Sequence, residues 1–222
     1  MIKTLIAILS ITCLLPTAFA TDTNAVLNAW FAAQKNVKTL SADFTQIRAF
    51  KTLTMPLTAH GHLWFAVPDK FRWELGAPPR TIALRRGNVM FVIYPLLKRA
   101  ERYPMGAAAP QRLRESLSLL DAGLPRSRQA FDAQFNVLSL QQTNGAWQLA
   151  AQPKSAAARQ TFPELEIVFS TNDFSLAGTE LFFVDGSTMR NDFTNETLNP
   201  PLAPKLFQWQ PPPGYTVTQP VP

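Results

Sequence analysis

Short runs of strict apolar–polar alternation, punctuated by turn dipeptides, constrain this chain more than any other feature. Phe71, Trp73 and Leu75 alternate with Lys70, Arg72 and Glu74, and Leu165, Ile167 and Phe169 alternate with Glu164 and Glu166. Leu63 with Phe65, and Trp147 with Leu149, repeat the pattern. Successive side chains of a strand point to opposite faces, so each run predicts a strand with one apolar and one polar face. Gly87-Asn88, Asn144-Gly145, Asn172-Asp173 and Asp185-Gly186 separate the runs. Asn-Gly and Asp-Gly suit two-residue hairpin turns, whose central positions need positive φ. Strands joined this way form an antiparallel meander.

Helical spacing interrupts the meander. Leu27, Trp30 and Phe31 fall at i, i+3 and i+4 behind Asp22, Thr23 or Asn24, any of which can cap a helix. Pro110 suits a first turn, and Leu113, Leu117 and Leu120 recur up to Gly123, a C-terminal stop. Leu124-Pro125 opens a further short helix through Ala130 and Phe131. In the proline-rich tail from Asn199, Phe207 and Trp209 alternate in one last short strand, and Pro211 to Gly214 end regular structure. The expected fold is α+β and mainly β. It is a single curved antiparallel sheet forming an unclosed β-barrel, with about three amphipathic helices covering its concave face. An interior of Phe, Trp, Leu and Ile serves either as a packed core or as a pocket for acyl chains, and periodicity alone does not separate the two.

The first residues predict export. Lys3, an apolar stretch from Leu5 to Leu15, Pro16 and the small-x-small Ala18-Phe19-Ala20 read as a signal peptide over 1–20, too short to anchor in a bilayer. Ser10, Ile11 and Thr12 before Cys13 fit a lipidation site poorly. Cleavage after Ala20 places the remaining domain at 21–222 in the periplasm, as a single unit without internal repeat. It also removes the one cysteine of the chain, and with it disulfides, thiol catalysis and cysteine zinc sites.

Loss of Lys3 lowers the formal charge from the full chain's +6 to +5. Arg80, Arg85, Arg86, Lys98, Arg99, Arg102, Arg112, Arg114, Arg126 and Arg128 crowd the middle, and acidic residues crowd the later part. Behind a signal peptide such a patch suits anionic headgroups or an acidic partner rather than nucleic acid, and a solvated surface explains it equally well. His60 and His62 share a strand face without a third ligand at recognisable spacing, and no metal or other cofactor is expected. No Gly-x-Ser-x-Gly elbow, phosphate loop or dinucleotide fingerprint occurs, and no serine stands with a histidine and an acid in a familiar order. An enzyme is therefore not expected. Arg85-Arg86 beside Gly87 reads as a turn with exposed charge, and Arg72 is the better functional candidate, with a packed surface stem as the alternative.

Phe44-Thr45-Gln46, Gly61-His62-Leu63-Trp64-Phe65, Pro68-Asp69-Lys70-Phe71-Arg72-Trp73-Glu74, Gly87 and Tyr94-Pro95 follow one another in an order that resembles the LolA family of periplasmic outer-membrane lipoprotein carriers. Asn144-Gly145-Ala146-Trp147, Pro153-Lys154 and Phe207-Gln208-Trp209-Gln210-Pro211-Pro212 to Gly214 extend the resemblance along nearly the whole chain. It implies an unclosed barrel under a helical lid, and a monomer that takes lipid or acylated lipoprotein cargo from an inner-membrane donor to an outer-membrane acceptor. The residues expected to line the lipid site are Phe44, Leu63, Phe65, Phe71, Trp73, Leu75, Trp147, Leu149 and Phe169.

Two departures stand out. The family carries an arginine before the proline that is Pro68 here, which holds the empty carrier closed by bonding its lid; this chain has Val67. Phe50-Lys51-Thr52-Leu53-Thr54-Met55-Pro56 replaces the usual polar hairpin. A second function of a different class is a lipid-sensing regulator resembling the lipid-binding domain of the RseB proteins, although those carry a further domain. A third, a lipid-modifying enzyme, lacks a recognisable nucleophile.

Overall fold

The structure, a computed structural model, describes residues 22–105, 123–125 and 127–220. The expected leader over 1–20 with Cys13, the helix from Pro110 through Leu120, and Arg112, Arg114 and Arg126 lie outside the described residues.

Helix α1 spans Thr23–Lys35. Of its three possible caps the chain uses Asp22, whose carboxylate accepts from the N–H groups of Asn24 at 3.0 Å and Ala25 at 3.3 Å. Six strands follow: β1 (Thr39–Ala49), β2 (Leu57–Ala66), β3 (Lys70–Leu75), β4 (Thr81–Arg86), β5 (Val89–Tyr94) and β6 (Arg99–Pro104). Helix α2 is Arg128–Gln134. It begins later than Leu124-Pro125 because a proline biases the residue before it away from helix, and because Ser127 provides the cap, its Oγ accepting from the Ala130 N–H at 3.1 Å. Next come β7 (Phe135–Thr143), β8 (Ala146–Pro153), the short helix α3 (Ala156–Arg159), β9 (Glu164–Ser170), β10 (Leu176–Phe182), β11 (Thr188–Leu198) and β12 (Thr216–Thr218).

All twelve strands belong to one sheet in the order β12-β6-β5-β4-β3-β2-β1-β11-β10-β9-β8-β7. Two meanders, β1–β6 and β7–β11, meet where β1 pairs antiparallel with β11, Phe44 opposite Phe193. Among the described residues only β12 runs parallel to its neighbour, β6. The ends of the sheet do not pair with each other, so the barrel stays open. At the β7–β8 hairpin Asn144 and Gly145 have φ of 51° and 77°, the double positive φ that the Asn-Gly pair predicts. Beyond it, a bulge between Val137 and Ser139 breaks the register of β7 on β8.

Antiparallel register puts directly opposed residues on the same face. Leu63 opposite Trp73, Phe65 opposite Phe71, and Phe44 opposite Gly61 therefore share the concave side. So do Trp147 opposite Phe169 and Leu149 opposite Ile167. Over the second group lies α1. Trp30 is fully buried and stacks on Phe169 with centroids 4.8 Å apart and planes at 6°. Phe31 of α1 and Phe131 of α2 complete this cluster with Leu27, Leu165 and Leu176.

The tail departs from the expected last strand. Phe207 ends a 3-10 turn over Pro204–Phe207, Trp209 is irregular, and the strand comes later as β12, after Pro211 to Gly214. Prolines lack the N–H that a ladder needs, so the segment cannot pair and packs by its side chains instead. Phe207 sits on the convex face among Ile82, Leu84, Ile93 and Ala100. Arg72 helps hold it there: its Nε donates to Glu74 at 2.5 Å and its Nη1 to the Leu206 carbonyl at 3.2 Å. Of the two readings of Arg72, the packed outer-face stem is the one observed.

Candidate functional site

The concave face is filled unevenly. Between β2–β3 on one side and Leu124, Leu176, Thr179 and Phe193 on the other lies a narrow cleft with about 640 Å³ of empty space, its open mouth included. Leu63, Phe65, Phe71 and Trp73 form one wall, and Pro68, Asp69, Lys70 and Arg85 close one end. The walls arise from the alternation itself, because every second residue of β2 and β3 must face inward. Beneath them Phe44 packs on Trp73 with centroids 4.0 Å apart, and Phe193 meets Trp73 edge-on at 6.2 Å. Gly61 makes room for Phe44: a Cβ there would stand 2.2 Å from the Phe44 ring and 2.2 Å from the Glu74 carbonyl oxygen.

The nine residues expected to face lipid fall into three places. Leu63, Phe65, Phe71 and Trp73 come together as the cleft wall. Phe44 and Leu75 join Leu63 and Trp73 in the cluster behind it. Trp147, Leu149 and Phe169 lie in the other half, packed in the cluster beneath α1. Among the described residues, Leu124 and Phe193 pack against both clusters and link the two halves.

Several features escape the sequence. A buried polar row crosses the floor from β1 to β10: Gln46 Nε2 donates to Asn191 Oδ1 at 3.0 Å, and Asn191 Nδ2 to Thr179 Oγ1 at 3.2 Å. Mutual bonding is what lets amides stay in an apolar interior. Arg85 departs from the exposed turn charge that its dipeptide predicts. Arg86 is exposed, but Arg85 lines the cleft and its Nε is buried. Strand alternation puts the two on opposite faces, and the inward position falls to Arg85. Toward the rim of the packed half, burial pushes the Glu196 carboxyl up to about 7; the Leu176 backbone opposes this, and the negative charge of Asp173 adds to it.

On the outer face, cross-strand pairing assembles a group that no sequence order announces. Ser41 Oγ lies 2.8 Å from His62 Nε2, His62 Nδ1 lies 2.6 Å from Asp43 Oδ1, and Asn195 Nδ2 donates to Asp43 Oδ2 at 2.8 Å. The Asn195 bond first, and the His62 bond second, hold the Asp43 carboxyl below the usual range. The order of contacts is that of a nucleophile triad. Yet Ser41 lies within β1, which is paired with β2 on one side and β11 on the other. The β2 ladder runs on through Ser41 and Asp43, while the β11 ladder is interrupted by a bulge between them. The His62 ring also packs on Trp64 at 4.0 Å. The group acts as a strut between strands. His60 likewise bonds Thr45 Oγ1, at 3.1 Å. Among the described residues no three histidine, cysteine or acidic side chains cluster as a metal site would require.

Comparison with known proteins agrees with this architecture. The chain is 32% identical over 183 residues to the outer-membrane lipoprotein carrier protein of Chromobacterium violaceum, covering 81% of each chain. It is 27% identical over 183 residues to the protein of the same name from Methylococcus capsulatus, covering 82% of each. An uncharacterized conserved protein from Thermus thermophilus shares the fold, with a TM-score of 0.53 at 9% identity, over 88% of this chain and 99% of that one. The family model described as outer membrane lipoprotein carrier protein LolA matches residues 35–210, and the chain belongs to that family.

Proposed function

We propose that the protein is a periplasmic carrier that buries acyl chains of a lipoprotein or another lipid in the cleft between β2–β3 and Leu124, Leu176 and Phe193, and moves them between membranes. The observation that carries this is the unevenly filled concave face. An apolar trough remains beside a fully packed core, walled by Leu63, Phe65, Phe71 and Trp73. Export by cleavage after Ala20 belongs to the same proposal. So does hand-over from an inner-membrane donor to an outer-membrane acceptor, for which the names of the relatives are the support.

The cleft is narrow, so a chain must widen it on entry. At ~0.8 kcal/mol per methylene, a dozen buried methylenes stabilise the loaded form by about 10 kcal/mol. Release then requires a partner or a better acceptor. Val67 offers no charged hydrogen bond to a lid; its own N–H donates to the Lys38 carbonyl at 2.9 Å.

Trp73→Asp tests the site. An unpaired carboxylate in the cleft must be desolvated, so a fluorescent acyl probe should bind at least roughly tenfold more weakly while the fold persists. Unchanged affinity in a folded variant excludes the wall as the lipid site. Complementation of a carrier-depleted bacterium tests the cargo: restored outer-membrane lipoprotein sorting at normal expression selects lipoprotein, and failure selects another lipid.

A further inference from the structure

Arg85 sets a guanidinium among apolar neighbours. Across β3 it faces Phe71 and across β5 it faces Met90. Both neighbours belong to an apolar cluster with Met105. Its Nε is buried without a hydrogen-bond partner, and no ion pair of Arg85 occurs among the described residues. The other charged groups in the cleft lining are Asp69 and Lys70. Among the described residues Asp69 forms no ion pair with Arg85; its Oδ2 lies toward Gly87, 3.6 Å from where a Cβ would stand there. Lys70 adds a second positive charge at the same end. A buried donor left unsatisfied is costly, and a guanidinium presents a planar fork matched to carboxylate and phosphate oxygens.

We propose that Arg85 anchors the cargo's headgroup, pairing an oxyanion at the end of an acyl chain that runs along Leu63, Phe65, Phe71 and Trp73. The cargo class is then an acidic amphiphile, either a fatty carboxylate or a lipid carrying a phosphate. This rests on the carrier function and adds polarity to it: the chain enters with its charged end toward β4 and the β2–β3 turn. Phe71 and Met90 exclude water from the pair, which strengthens it.

Competition against a bound fluorescent acyl probe decides the matter, with oleate, methyl oleate and lysophosphatidate as competitors. The protein should prefer the two acids over the neutral ester by roughly tenfold or more, the range of one charge-assisted hydrogen bond. Arg85→Gln should lose that preference while binding methyl oleate within about threefold of the original, and Arg85→Lys should regain part of it for the acids. Preference for oleate alone or lysophosphatidate alone assigns the oxyanion as carboxylate or phosphate. Equal binding of acid and ester by the unaltered protein overturns the headgroup anchor but leaves the carrier intact. Should none of the probes bind, the carrier function falls and the anchor with it. The preference of the unaltered protein is decisive even where Arg85→Gln does not fold.

Discussion

The two halves of the concave face are built from the same alternating strands and end in opposite states. Under α1, Leu149, Leu165, Ile167 and Phe169 are all fully buried, and Trp30 fills the space above them. At β2 and β3, Phe65 and Trp73 remain half-buried around an open cleft. The strands do not make the difference: in the first half the Trp30 and Phe31 rings of α1 fill the space above them. Among the described residues each half also holds one buried side-chain N–H without a partner, Trp30 Nε1 in the packed half and Arg85 Nε in the cleft. The first is a neutral donor inside a dense core, where a ligand cannot reach it. The second belongs to a charged group that lines the open cleft.

The sharpest way to break this comparison is to make the same change on both sides. Trp30→Ala should cost about 3–5 kcal/mol, since it leaves a cavity in a core that cannot collapse. Trp73→Ala should cost roughly half as much, because its side chain already borders empty space. Urea unfolding of the two variants measures both, and equal losses would mean that the halves are packed alike. Gly61→Ala comes next, at about 2–3 kcal/mol. It would show that the cleft is loose at its walls and tight at its floor, because the Glu74 carbonyl and the Phe44 ring both block the new methyl group. A neutral effect on the thermal midpoint would remove Phe44 from the position described.

Glu196 probes the packed half through protons. Its folded pKa of about 7 lies above the ordinary 4.5. The native state thus holds the proton more tightly, and stability falls as pH rises from about 4.5 through 7. Glu196→Gln should be nearly neutral at pH 4 and stabilising by about 1–2 kcal/mol at pH 8, after allowance for its partial exposure. A gain that does not vary with pH would contradict this origin. The smallest effect belongs to the outer face. His62→Ala cuts the Ser41–His62–Asp43 strut, which is partly exposed, and should cost about 1 kcal/mol or less with acyl binding unaltered. Loss of binding would tie the strut to the cleft.

Which residues face inward is legible from sequence, because period two is a direct consequence of strand geometry. Phe71, Trp73, Leu165, Ile167 and Phe169 all follow it. What those residues meet is not legible. Leu149 and Leu63 carry the same local signal, yet one lies under α1 and the other lines the cleft. Arg85 misleads because a turn dipeptide outweighs its register, one residue from the exposed Arg86. The strut is invisible because Ser41 and Asp43 reach His62 only through the pairing of β1 with β2. The tail misleads because two aromatic residues are too few to define a strand among prolines.

The open barrel leaves two rims, and the chain treats each differently. At one, β12 lies parallel against Arg99–Glu101 of β6, so the molecule lends its own C-terminal segment to its own edge. Farther along that strand Pro104 has no N–H to offer another chain. At the other, the bulge at Val137–Ser139 interrupts the hydrogen-bonding row that β7 would present. A sheet left unclosed, as the proposed carriage of an acyl chain requires, would otherwise be a template for another copy of itself. The three residues of β12 thus replace part of the longer β6 edge with a short one, the kind of edge that offers another chain little to pair with.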